Sequence, residues 1–176
     1  MALQWYQILV WVVIVIVIAY IAGFIFVFSR MVDFRVKMRK GLIAASILFS
    51  EKKEVLINFY SLFLEMGVIL NDNDGDMLTR LRWKKTDVKK GALAQELNDM
   101  LNEVSKRLSY IAMREKLEQD PKIISYFDTL SDIDVSYRRI VAIYNNNLTA
   151  YEYWRQRKIY TWAFWLLFFR KQSRLY

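Results

Sequence analysis

Residues 1 to 29 carry no charged side chain, and Ile8 to Phe28 is an almost unbroken apolar run. As a helix that run reaches ~32 Å, the thickness of a ~30 Å hydrocarbon core. Its centre, Val12 to Ile18, is β-branched throughout. Such a stretch is a poor helix in water, but lipid leaves a spanning backbone no other way to satisfy its polar groups. Trp5, Tyr6 and Trp11 sit near the amino end, where interfacial aromatics belong. A cleaved signal peptide fits less well, because the amino flank lacks Lys and Arg and Ala19 and Ala22 are wrongly spaced for cleavage. The run reads as a retained single-pass anchor. Its carboxyl flank holds Arg30, Arg35, Lys37, Arg39 and Lys40 against one acid, Asp33, so the positive-inside rule places the N-terminus outside and residues 30 onward in the cytoplasm.

Two amino acids are missing altogether. The 176-residue chain has no Cys and no His, which removes disulfides, zinc–thiolate sites, iron–sulfur clusters and every imidazole-based catalytic arrangement. Five Gly and one Pro argue against a turn-dense β fold and against disorder.

Beyond the anchor the apolar spacing is helical. Leu42, Ile43, Ile47, Val55, Leu56, Phe59, Leu62, Phe63, Met66 and Ile69 mark one stripe. Leu93, Leu97, Leu101, Val104, Leu108 and Ile111 mark a second; Leu130, Ile133, Tyr137, Val141, Tyr144, Leu148 and Tyr151 mark a third. Breaks are expected at the turn formers 71–76 and around Gln119-Asp120-Pro121, where proline opens the last helix. Residues 77 to 90 fit either a short helix or a loop. The expected fold is all-α: an N-terminal transmembrane helix (1–29), an antiparallel bundle of long helices (30–155), and a short aromatic, amphipathic tail (156–176).

In that tail Trp162, Trp165, Phe168 and Phe169 are followed by Arg170 and Lys171. The apolar run is too short to span and has the composition of a segment lying in the membrane interface against anionic headgroups. A protein–protein contact and a final core helix are the competing readings.

The remaining constellations carry little chemistry. If Gly75 took the sixth place of a calcium loop, Leu70 and Leu81 would fall where acids are required, so 71–76 reads as a capped turn. Arg80, Arg82, Trp83, Lys84 and Lys85 form a basic patch with one stacking aromatic; nucleic acid is the weaker reading and anionic lipid or a solvated face the stronger. Ser50 and Lys53 match Ser-x-x-Lys without its companion motifs, and Asn147-Leu148-Thr149 is a chance sequon. We assign no catalytic residue, metal ligand, cofactor or small-molecule substrate. Among Asn145, Asn146 and Asn147, Asn145 neighbours the stripe residue Tyr144 and is expected to face inward and hydrogen-bond across the bundle.

Asp134, Tyr144-Asn145, Leu148 and Tyr151 follow one another in the last stripe. With an N-terminal anchor and long amphipathic helices, this pattern resembles the bacterial LemA family. That family has an acid some ten residues before Tyr-Asn, then an apolar residue and a second Tyr-Asn; here Glu152 replaces the second Asn. The Glu51–Phe59 stretch loosely resembles the family's first long helix, with Asn58 where it has proline. The resemblance implies a helical bundle anchored in a bacterial membrane with its N-terminus outside, and no enzymatic activity. The expected function is a non-enzymatic scaffold or accessory subunit that organises protein partners or copies of itself. Surplus aromatic surface from Phe59, Phe63, Tyr110, Tyr126 and Tyr153 would serve that role. A tethered nucleic-acid binder and an envelope-acting carboxylate enzyme are the alternatives.

Overall fold

The structure, a computed structural model, describes residues 2–69, 72–156, 167 and 172–175. Among them every regular element is an α-helix: α1 (Ala2–Glu65), α2 (Asp72–Trp83), α3 (Gly91–Arg114) and α4 (Pro121–Arg155). The chain divides into two compact units. One comprises Met1–Lys37 with Asn147–Lys171, the other Met38–Asn146 with Gln172–Tyr176.

α1 is a single helix, so the apolar run and the first bundle stripe are one uninterrupted element. Residues 4–22 are exposed all round, and α1 is long and apolar enough to cross a membrane. Exposure of an apolar surface on every side of a helix suits lipid and penalises water. In this unit Val27 and Met31 become buried, and Phe26 meets Trp154 of α4 edge-on at 6.2 Å between ring centroids.

In the second unit the buried positions of α1 follow a seven-residue frame. Met38, Ala45, Lys52 and Phe59 form one row, and Leu42, Phe49, Leu56 and Phe63 form the other. α3 contributes Ala94, Leu101 and Leu108 with Leu97, Val104 and Ile111; α4 contributes Ile123, Leu130, Tyr137 and Tyr144. Alternating steps of three and four residues are the seam of helices lying nearly alongside one another. Phe49 faces Tyr137 at 5.1 Å, Lys52 meets Asp134, and Phe59 stacks on Tyr126 at 5.1 Å with Phe127 edge-on at 5.2 Å. Along these contacts the α1 numbers rise while the α4 numbers fall.

Several sequence expectations need correction. Ile43 and Ile47 are exposed, because the 3.5-residue seam passes through Ala45, Phe49 and Lys52 instead; Ile69, beyond the end of α1, and Leu93 on α3 are exposed too. Phe59 and Phe63 are fully buried and lend no aromatic surface, whereas Tyr110 and Tyr153 are exposed. The acidic stretch is not a capped turn: α2 starts at Asp72, so Asp74 and Asp76 lie within its first turns, where carboxylates favour the positive end of the helix. The chain break falls earlier, with Gly67 in the left-handed region at φ 75°. Residues 77–83 are helix and 84–90 are not.

The non-helical 84–90 segment is tied to α1. Lys53 Nζ donates to the carbonyls of Arg82 (2.7 Å) and Lys84 (2.9 Å), meeting carbonyls that the end of α2 leaves without helical partners. The Val88 N–H donates to Ser46 Oγ at 2.9 Å, and the Val88 side chain is buried. Arg107 on α3 pairs with buried Asp74 on α2 at 2.7 Å. Beside that pair a cavity of about 10 Å³ is lined by Tyr60, Leu78, Val104 and Ile111, among others.

Candidate functional site

Two polar constellations interrupt the apolar seam of the second unit. The first centres on Lys52. Its place in the row 38, 45, 52, 59 puts an ammonium where the frame calls for an apolar residue, and its side chain is 2% exposed. The charge is met by Asp134 Oδ1 at 2.5 Å and Asn102 Oδ1 at 2.6 Å, so α1, α3 and α4 converge on one nitrogen. Asp134 keeps 36% of its side chain exposed, which leaves its second oxygen within reach of solvent. One turn further along α4 lies Tyr137, whose buried hydroxyl has no hydrogen-bond partner among the described residues. Burial, with Asp99 nearby, pushes that phenol up to about 12.

The second constellation is built by Tyr144 and Asn145 on α4. The Asn145 amide donates to the Leu175 carbonyl at 2.6 Å and accepts from the Leu175 N–H at 3.0 Å. One side-chain amide thus pairs with both polar groups of one residue, as a neighbouring strand would. Tyr144 Oη donates to the Ser173 carbonyl at 3.1 Å, and burial holds its phenol above the ordinary range. The Leu175 side chain is fully buried. Gly91, the first residue of α3, closes the site: a Cβ there would lie 2.8 Å from the Ser173 carbonyl oxygen. Asn145 is half-buried, and its side-chain amide pairs with the backbone of residue 175.

The other singled-out residues fall into three places. In the first unit Trp5 and Trp11 are exposed, Arg30 lies 5.4 Å over the Phe26 ring, and Lys37 pairs with Asp33 at 2.8 Å. Burial holds the phenol of Tyr151 above its ordinary range, with Arg35 and Arg155 offsetting part of that push. Leu148 is fully buried there too. In the second unit Trp83 is 84% exposed beside exposed Arg80, Arg82 and Lys85, while Lys84 pairs with Glu96 at 2.9 Å. Arg39 and Lys40 are exposed on α1. Trp162, Trp165, Phe168, Phe169, Arg170 and Lys171 lie outside the described residues. Among the described residues no cluster of carboxylates could hold a metal ion.

Sequence reasoning missed Lys52 and Asn102, Gly91 and Leu175. The seven-residue frame would have exposed Lys52 as a cation in an apolar row. Gly91 and Leu175 left no such signal, because their meeting depends on a long-range return of the chain. Compared with known protein families, with curated proteins and with solved structures, the chain matches none.

Proposed function

We propose that the protein is a non-enzymatic scaffold or accessory subunit, anchored by a single transmembrane helix and organising protein partners at the cytoplasmic face of a bacterial membrane. The observation that carries this reading is α1 itself: one helix joins a segment exposed and apolar on all sides to a segment whose seam is packed. A lipid-facing span continuous with a packing element suits a protein that presents a surface at a membrane. The order of the α1–α4 contacts supports an antiparallel bundle for the packed part. Arg30, Arg35, Lys37, Arg39 and Lys40 support an outside N-terminus, and the Asp134–Tyr151 pattern supports affiliation with the LemA family.

The test uses the natural lack of cysteine. Single Cys residues at Gln4 and at exposed Lys85 are probed with a membrane-impermeant maleimide in intact cells, followed by crosslinking and pull-down from native membranes. Labelling at position 4 alone, with discrete partners or copies recovered, is the expected result. Labelling at position 85 from outside, or a strict monomer with nothing recovered, overturns the proposal. A second reading has its own observation: Trp83 stands exposed among cations, the arrangement of a base-stacking platform. Heparin retention that is unchanged when Arg82, Trp83 and Lys85 become Ala removes it.

A further inference from the structure

The Asn145 site has the chemistry of a receptor for peptide. Asn145 reads main chain through a donor and an acceptor matched to one residue's C=O and N–H. Tyr144 reads a second carbonyl two residues earlier. The side chain between those anchor points, Arg174, is exposed, as is that of Ser173, so neither is held by the site. Among the described residues 172–175, Leu175 is the buried side chain, and its Cδ2 lies 3.5 Å from where a Gly91 Cβ would stand. Main-chain pairing for affinity with one apolar side chain for selectivity is how short peptides are commonly captured.

We propose that the groove formed by Gly91, Tyr144 and Asn145 is a peptide-binding site, specific for a short non-helical segment with an aliphatic residue opposite Asn145. Its resident ligand is the chain's own 172–175 segment, and that ligand is exchangeable. Attachment through the chain gives the resident segment an effective concentration on the order of millimolar, so a free peptide competes poorly until the resident is weakened. The site stands independently of the scaffold reading, since it is defined by contacts within one unit.

Gly91 makes the proposal testable without unfolding the protein. Its φ is not in the left-handed region, and alanine at the start of a helix is a better helix former than glycine. Gly91→Ala therefore keeps α3 while its methyl group meets the Ser173 carbonyl. Hydrogen exchange on the full chain in detergent reads the outcome. The Leu175 amide is expected to lose at least about tenfold of its protection in Gly91→Ala and in Asn145→Ala, with helical circular dichroism unchanged. A fluorescent peptide Gln-Ser-Arg-Leu-Tyr, matching residues 172–176, is expected to bind Leu175→Asp at least about tenfold more tightly than wild type, and not to bind Gly91→Ala/Leu175→Asp. Equal Leu175 protection in wild type and Gly91→Ala, absence of peptide binding to Leu175→Asp, or equal binding to all three proteins overturns it.

Discussion

The Lys52 ammonium on α1 and the Asp134 carboxylate on α4 form an ion pair whose two ends live in different media: the lysine is 2% exposed and the aspartate 36%. Removing either partner breaks the same contact but strands a different charge. Asp134→Ala leaves an ammonium in the seam with only Asn102, and we expect a loss of about 3 kcal/mol. Lys52→Met leaves a carboxylate that solvent reaches and fills an apolar row, so the change stays within about 1 kcal/mol. Chemical denaturation of the detergent-solubilised variants measures both. Equal losses would show that the pair is not buried asymmetrically.

Phe59 contacts three rings, those of Phe63, Tyr126 and Phe127, and is fully buried. Phe59→Ala is expected to cost about 3–5 kcal/mol through lost transfer energy and the cavity left behind. The near-ultraviolet circular dichroism of the tyrosines should weaken with it. A loss under ~1 kcal/mol contradicts the packing.

Tyr137 contributes to the loss of stability in alkali. Its phenol is raised to about 12 in the folded protein, above its ordinary value of 10.0. Below pH 10 both states keep the proton and the contribution is constant. Between about pH 10 and 12 the unfolded chain ionises first, so stability falls as pH rises. Tyr137→Phe removes a buried hydroxyl without a described partner; it should gain about 1 kcal/mol at pH 7 and flatten that alkaline decline. Stability against pH for the two proteins checks the sign. A steeper decline in the variant would refute the assignment.

Ser46 holds the segment between α2 and α3 by accepting the Val88 N–H. Ser46→Ala leaves that amide without its acceptor beside a buried side chain and is expected to cost about 1–2 kcal/mol. Hydrogen exchange should rise locally at Val88 while α3 remains protected. Unchanged exchange at Val88 would mean the strap is held by other contacts.

The helical elements were legible because apolar spacing survives in sequence: the stripes on α3 and α4 are buried at nearly every position named. The long apolar helix at the amino end was legible from its length and lack of charge. On α1 the reading drifted, since Ile43 and Ile47 look more like core residues than Ala45 or Lys52, and only the seven-residue frame separates them. The acids at 72–76 mislead because the same side chains that favour turns also favour helix starts. Asn145 was legible as a hydrogen-bonding residue from its place beside Tyr144. Its partner was not, because nothing local to residues 172–175 states where they return.

Gly91 has a genetic consequence. Glycine and alanine codons differ at a single base, so one point mutation places a methyl group against the Ser173 carbonyl. Such a mutation leaves the helix it begins intact. Occupancy of the Asn145 site is thus one nucleotide away from being lost, and variation at this codon is where selection on the docked segment would first be visible.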